Sequence, residues 1–363
     1  MDKKVTIIGG GVAGASTAIK LAEKLRNPNV IRLIDKNSSF NKACSGILTF
    51  AVDDLIKIPD EIIVSKVKRF RIHAPSGEFL ELEFKRPDIV CEREKLNQHL
   101  NNVAQEKGVH IYRPASLETI ENNNVIIKQD NKLIKLPTTH LVGADGSQSS
   151  VAKKTNIFGQ RNFFVGAKAI IEKEHEDTID VFPNYGCFGW AVPHGKNKVE
   201  VGTMSYTNQG AVFDKFMKKF KDYKVISKEG ALIPIYNPKL TTQTIYGNMN
   251  VYLVGDAATM VKATTGGSII QSFIASNFVS DSIINDEEYS WKSKLGIELW
   301  THLKIRKILD KFSEKDWNQF IHLFQDIKVK EILETKTRDY PTMMVLKLLL
   351  AKPSLLKFVK KMF

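Results

Sequence analysis

The chain has 363 residues, 43% hydrophobic, 26% charged and 9% aromatic, which suits one large globular domain with an appendage or two and excludes wholesale disorder, collagen-like repeats and a disulfide scaffold. Fifty-three basic against forty acidic residues leave a net charge of +13, which argues for an anionic partner: nucleic acid, phospholipid headgroups or a phosphate-bearing substrate. Cys44, Cys91 and Cys187 form neither a CxxC pair nor a zinc spacing, and no run of 18 uncharged apolar residues occurs. A reducing, cytoplasmic setting is expected, without a secretory leader or a membrane span.

In chain order, Val5 to Ile8 is a short buried-strand run, followed by Gly9, Gly10 and Gly11 and a helical pattern through Ala18, Leu21, Ala22 and Leu25. A second strand, Val30 to Ile34, ends at Asp35, giving a βαβ opening. Pro75-Ser76-Gly77 separates two alternating stretches, Val67 to His73 and Glu78 to Phe84, as a hairpin does. A helix from Glu92 to Lys107, a strand at Val109 to Tyr112, a hairpin across Asn122-Asn123-Asn124 and a strand at Leu141 to Ala144 complete an α/β half. Residues from about Asn162 to Tyr246 read as a strand-rich insertion, after which Val251 to Val254 resumes the buried-strand pattern and a Gly-rich turn leads into a helix from Gly267 to about Ile284. From Trp291 onward only helical segments remain, divided by Ser313, Pro341 and Pro353, with 16 Lys and Arg against 8 Asp and Glu.

The strongest local signal is Gly9-Gly10-Gly11-Val12-Ala13-Gly14, directly after a strand and opening a helix, with Asp35 at the end of the next strand. In such a dinucleotide fingerprint Gly9 makes the tight turn and Gly11 admits a pyrophosphate to the positive helix N-terminus. Gly14 allows close helix packing, and the acid, followed here by Lys36, accepts ribose hydroxyls. Two further Gly-Asp elements at strand ends, Gly143-Ala144-Asp145-Gly146 and Gly255-Asp256-Ala257-Ala258, offer carboxylates to a polyol such as the ribityl chain, or else cap their own turns. In this order after the fingerprint they point to FAD.

These residues, with Lys42-Ala43-Cys44-Ser45-Gly46, Arg93 opening a helix, Gly189-Trp190-Ala191-Val192-Pro193-His194-Gly195 and Thr265-Gly266-Gly267, make the chain resemble the geranylgeranyl reductase family of flavoproteins over nearly its whole length. The resemblance implies an α/β (α+β overall) fold: a Rossmann-like FAD-binding domain of the para-hydroxybenzoate hydroxylase type at residues 1–160 and 246–290, a β-rich substrate domain inserted at 161–245, and a C-terminal helical region at 291–363. It implies that Gly9, Gly11, Val12, Ala13, Gly14, Asp35 and Lys36 hold the ADP half of FAD with Arg93 beside the pyrophosphate, that Asp145 and Asp256 serve the ribityl region, and that the Gly266-Gly267 backbone meets the flavin. Cys44, Ser45 and Gly46 would face the ring from the substrate side, with Cys44 the candidate catalytic residue. Thr259, Ala263 and Ser268 stand where the family carries Gly, Pro and Gly.

The implied activity is reduction of the double bonds of geranylgeranyl chains of membrane ether lipids or their precursors, with NADPH or ferredoxin as electron donor. An unactivated alkene needs hydride addition coupled to proton delivery at the other carbon, and a thiol of pKa about 8.5 is a weak acid, so Cys44 either takes part in a concerted transfer or shapes the pocket. Trp190 and Pro193, with Phe188 and Val192, line an apolar slot for such a chain or belong to the core. The alternative on the same fold is a flavin monooxygenase acting on an aromatic or alkene. No metal site is expected, since the histidines lack ligand spacing and His175 and His194 are base candidates by residue type alone. Nucleic acid is not an expected partner, because the basic end from Pro341 carries Leu348, Leu349, Leu355, Leu356 and Phe358 rather than stacking aromatics. That segment reads either as peripheral contact with the inner face of the cell membrane or as an amphipathic helix pair packed on the FAD-binding domain.

Overall fold

The computed structural model describes residues 3–121 and 123–362; Met1, Asp2, Phe363 and Asn122, the last expected in a hairpin turn, lie outside the described residues. Val5–Ile8 is buried along its whole length, as a strand covered on both faces of a parallel sheet must be. It is central in a six-stranded sheet ordered Gln243–Tyr246, Met249–Leu253, His140–Gly143, Val5–Ile8, Ile31–Ile34, His110–Tyr112. All neighbours are parallel except the first pair. Val30, expected in the second strand, instead ends a short 3-10 turn at Pro28–Val30, which the proline starts. The helix Val12–Lys24 presses a face of small and apolar residues against Ile269–Asn285 and Arg93–Glu106. This arrangement brings the carboxyl ends of three strands, at Gly9, Ala144 and Val254, to one edge, where open α/β sheets bind ligands.

The expected β-rich lobe forms an eight-stranded sheet, ordered Val225–Pro234, Phe163–Glu172, Lys198–Ser205, Phe188–Pro193, Thr178–Phe182, Ile63–His73, Phe79–Cys91, Ile47–Leu48. Its strands come from two stretches of chain. The hairpin read from the sequence as part of the FAD-binding half, Ile63–His73 with Phe79–Cys91, joins this sheet through parallel pairing of Thr178 to Val181 with Arg69 to Ile72. The helix Gln209–Met217 covers one face, burying Phe213 and Phe216 against Ala169, Ile171 and Val201. A third sheet, Ser116–Glu121, Asn124–Gln129 and Lys132–Pro137, adds one strand to the hairpin that the sequence suggested.

Beyond Trp291 the chain is helical: Lys292–Leu309, Glu314–Phe324, Ile327–Thr335, Pro341–Ala351 and the short Leu356–Val359. Ser313 and Asp316 form a reciprocal capping box, and Pro341 and Pro353 occupy first-turn positions, where a missing N–H costs nothing. Leu348, Leu355 and Phe358 are buried with Leu80, Leu82, Ile321, Phe324 and Val329 against the long hairpin. The lysine-rich end therefore gives Leu348, Leu355 and Phe358 to the core. Among the described residues no helix is long and apolar enough to cross a membrane.

Candidate functional site

One elongated cavity of about 250 Å³ runs from the N-terminus of the first helix to the eight-stranded sheet. Its near end is built by the Gly-rich turn. Gly9 has φ +108, and a Cβ there would meet Ala144 O at 2.3 Å; at Gly14 it would meet Gly9 O at 1.8 Å. Those two glycines pack the turn. Gly11 differs, because a Cβ there would meet nothing within 4 Å and would project into open space before the helix N-terminus. No side chain caps that terminus. Its unpaired N–H groups and the helix dipole favour an anion there. Arg93 faces the same cavity, is 6% exposed, and has no partner for Nε or Nη1. A buried, unpaired guanidinium beside a bare helix N-terminus is chemistry suited to a pyrophosphate.

Asp256 lies along the cavity with its oxygens held by Lys42 Nζ at 3.0 Å and by the Ser268 hydroxyl at 2.7 Å. Burial pushes its carboxyl up, but Lys42, the Ser268 hydrogen bond and Arg93 more than offset this and keep it below the usual carboxylate range. Ser268, where the resembled family has glycine, thus supplies a hydrogen bond to the acid. Gly266, with φ +71, and Gly267 complete the floor.

Cys44, Ser45 and Gly46 line the middle of the cavity. Gly46 fixes this loop: it has φ +68, its carbonyl accepts from Cys91 N–H at 2.9 Å, and a Cβ would meet Cys91 O at 2.0 Å. The Gly46 N–H donates to Cys44 Sγ at 3.4 Å. Cys44 is half-buried, whereas burial pushes the Cys91 thiol up to about 12 and the Cys187 thiol up to about 11.

At the far end Trp190 meets the apolar side chains of Phe70, Ile179, Val181, Val192 and Ile233. Two buried charges that the sequence reading did not single out stand behind it. Glu200, fully buried, accepts from Trp190 Nε1 at 3.0 Å and pairs with Lys168 at 2.9 Å. Lys168 also donates to the Cys44 carbonyl at 2.9 Å and faces Glu229 at 3.4 Å. Burial would lower the Lys168 pKa, but Glu200 and Glu229 outweigh it and raise the value. One ion pair therefore ties the Cys44 loop to the aromatic wall. The available signal was one charge in the interior of each of two apolar strand runs, Lys168 in Phe163–Glu172 and Glu200 in Lys198–Ser205.

A second missed cluster closes the side of the cavity. Asp339, fully buried, accepts from Lys262 Nζ at 2.5 Å, Thr337 Oγ1 at 2.8 Å and the Thr49 hydroxyl, while Arg338 pairs with the buried Asp88. Burial raises the Asp339 carboxyl, but Lys262 and the hydroxyl donors outweigh this and hold it far below its usual value. Lys262 and Arg338 both line the cavity, so the chain beyond Trp291 contributes to its wall.

The cavity thus gathers Gly11, Val12, Ala13, Cys44, Ser45, Gly46, Arg93, Trp190, Asp256, Gly266 and Gly267 from the sequence reading. Other expected site residues lie off its lining. Asp35 accepts from Gly10 N–H at 2.7 Å and Asn37 N–H at 2.8 Å and pairs with Arg113 at 3.3 Å, bracing the turn, while Lys36 is exposed. Asp145 accepts from Ser150 and Val151 N–H at 2.6 and 3.1 Å, so it caps a helix, with Oδ1 left unpartnered. Pro193 is buried in its strand, and His194 is a half-buried ring whose pKa is lowered by desolvation. Among the described residues no cluster of three acidic, His or Cys side chains is placed to hold a metal ion.

A family model described as lycopene cyclase protein matches residues 4–334. The chain belongs to that family. It is 22% identical over 90% of its length to a digeranylgeranylglycerophospholipid reductase of Methanothrix thermoacetophila, covering 93% of that protein. Among solved structures, a geranylgeranyl bacteriochlorophyll reductase-like protein from Thermoplasma acidophilum superposes with a TM-score of 0.80 at 19% identity, covering 99% of each chain. A flavin-dependent brominase gives 0.71 at 13% identity, covering 97% of this chain and 99% of that one. The fold is that of the para-hydroxybenzoate hydroxylase type, and the resemblance to geranylgeranyl reductases is borne out. The bare helix N-terminus, open Gly11, unpaired Arg93 and acid at Asp256 fit FAD. The chain is an FAD-dependent oxidoreductase.

Proposed function

We propose that the protein saturates double bonds in geranylgeranyl chains of membrane ether lipids or their precursors. The observation that carries this reading is the far half of the cavity: an apolar slot of Phe70, Ile179, Val181, Trp190 and Val192 directly beyond the Cys44 loop. Such a slot offers a long hydrocarbon burial at roughly 0.8 kcal/mol per methylene removed from water. The names of the related reductases agree with it.

On this reading Gly11, Val12, Ala13 and Arg93 hold the pyrophosphate of FAD, Lys42 and Asp256 orient the middle of the cofactor, and the Gly266-Gly267 backbone lies against the ring. Asp35 and Lys36 are assigned to the adenosine end through the turn they border, with Gly9 and Gly14 shaping that turn. Asp145 supports the ribityl region through the helix it caps, and Pro193 sets the strand that carries Trp190. FAD held there, once reduced, would supply hydride to one alkene carbon. The protein's task is to exclude water, to seat the chain against Trp190, and to hold a proton source near the other carbon. Cys44 is the group in the Lys42–Gly46 loop assigned to that place. Electrons come from NADPH or a ferredoxin.

The test is anaerobic incubation of dithionite-reduced protein with a geranylgeranyl lipid, read by mass spectrometry as a gain of two hydrogens per double bond. Cys44→Ala should retain FAD and lower product formation by roughly tenfold to a thousandfold. Equal rates would reduce Cys44 to packing. Absence of any reduction, together with oxygen consumption coupled to an aromatic substrate, would replace this reading with a monooxygenase.

A further inference from the structure

The helices Lys292–Leu309 and Pro341–Ala351 lie side by side. Lys294 Nζ is 5.5 Å from the Tyr340 ring centre. Next along, the Thr342 N–H and hydroxyl donate to Glu298 Oε2 at 3.0 and 2.9 Å, and the Thr342 and Thr301 hydroxyls meet at 3.0 Å. Further on, Ile308, Met344 and Leu349 join one apolar cluster. Contacts advance along both helices in the same direction, so the two run parallel.

Each residue turns an α-helix by about 100°. On parallel neighbours, a residue just before the seam on one helix and a residue just after it on the other therefore emerge on the same side. Ile297 and Trp300 precede the seam residues Glu298 and Thr301. Met343 follows Thr342, and Leu346 and Leu350 continue its row three and seven residues on. All five are between 42% and 73% exposed. A two-helix face thus presents Ile, Trp, Met and two Leu to solvent in one patch.

Lysines accompany the patch. Lys294, Lys307 and Lys347 are exposed, and Lys304 Nζ lies 4.9 Å from the Trp300 ring centre. Across both helices the one acid is Glu298, which Thr342 engages. A second copy of the chain docked face to face by a two-fold axis would set these lysines against their own images, with no acid of either helix but the engaged Glu298 to meet them. A phospholipid surface suits both features, because its interior accepts the apolar row and its anionic headgroups accept the lysines.

We propose that this face docks the protein on an anionic lipid bilayer. The proposal deepens the prenyl-lipid reading, resting on it for its purpose and on the helix pair for its geometry. It narrows the membrane alternative for the segment from Pro341, since Leu348, Leu355 and Phe358 are core and Ile297 and Trp300 come from another helix.

Flotation with phosphatidylcholine vesicles, with and without phosphatidylglycerol, tests it. The wild-type protein should float with the anionic vesicles at low salt and shift its tryptophan emission to the blue. Trp300→Phe should keep flotation and lose most of the shift, since Trp190 lines the internal cavity and Trp291 and Trp317 are already buried. Trp300→Ser with Leu350→Ser should lower the bound fraction roughly tenfold or more while leaving the circular dichroism melt unchanged, and Lys304→Gln with Lys347→Gln should abolish the preference for anionic lipid. Absence of flotation at low salt, or equal binding by the serine variant, overturns the proposal. A concentration-dependent dimer dissociated by the serine variant overturns it in favour of a second copy. Assay of the same proteins on a detergent-dispersed prenyl substrate separates the two readings: flotation without reduction defeats the reductase alone, and reduction without flotation defeats the docking alone.

Discussion

Replacing Lys168 by methionine tests the ion pair behind Trp190. The substitution keeps most of the side-chain volume and removes the ammonium, leaving Glu200 fully buried with the Trp190 indole N–H as its remaining side-chain donor. Breaking a buried pair from one side costs about 3–5 kcal/mol, because the surviving charge is uncompensated. Glu200→Gln is the milder partner. Its amide oxygen still accepts from Trp190, and Lys168 still reaches Glu229 at 3.4 Å and the Cys44 carbonyl at 2.9 Å, so about 1–2 kcal/mol is expected. The double variant Lys168→Met/Glu200→Gln should be more stable than Lys168→Met alone, since no charge is stranded. Urea unfolding midpoints at neutral pH, with slopes checked for constancy, measure all three. Because the folded Lys168 pKa is raised, the pair's contribution is fully present below the unfolded value of about 10.4 and fades as pH climbs through the folded one, so wild type and Lys168→Met should converge only in strong alkali. A Lys168→Met variant no less stable than Glu200→Gln, or strictly additive losses in the double variant, would refute the assignment.

Gly46→Ala should cost several kcal/mol or prevent folding, since it combines a left-handed backbone with a 2.0 Å approach to Cys91 O. Gly11→Ala should melt normally yet copurify with less FAD, read from visible absorbance. Thr259 adopts φ +57 in the interior and accepts from Asn237 N–H at 3.1 Å; Thr259→Val, which keeps the strain and loses that bond, should cost about 1–2 kcal/mol in thermal unfolding, whereas Thr259→Gly should stay within about 1 kcal/mol of wild type. Asp339→Asn should cost about 3–5 kcal/mol and make the last helices sensitive to limited proteolysis. Its carboxyl is depressed in the folded state, so that stabilisation is present above the unfolded value of about 3.9 and is lost as pH falls below it; a wild-type protein equally stable at pH 3 and pH 6 would count against it.

Local pattern made the cofactor half legible. Strand, glycines and helix are consecutive, so periodicity and Gly9, Gly11 and Gly14 together define the turn without knowledge of distant chain. Arg93 and Asp256 were accessible for the same reason, each opening an element just past a strand. The pairing of Lys168 with Glu200 was not legible, because it depends on how two strands 30 residues apart come into register, with Lys168 opposite Gly202 and Glu200 opposite Ile170. Asp145 illustrates an ambiguity of residue type: an acid at a strand end that precedes a helix serves a ligand or its own cap equally well, and here the nearest N–H groups take it. The lysine-rich end leaves two alternatives open on composition, since Lys and Leu together on short helices are compatible with either a wet face or a packed one.

The clip formed by Lys262, Asp339 and Arg338 also sets an order of events during synthesis. Chains emerge N-terminus first, and compact regions fold as they appear. The Gly-rich turn is made within the first fifteen residues, but the cavity wall to which it contributes is not closed until residue 338 arrives and Asp339 captures Lys262. A nascent chain that carries the helix Ile269–Asn285 therefore displays the nucleotide cradle with one side open to water and to chaperones. Tight capture of the flavin is therefore expected only after this clip has formed, late in the protein's synthesis.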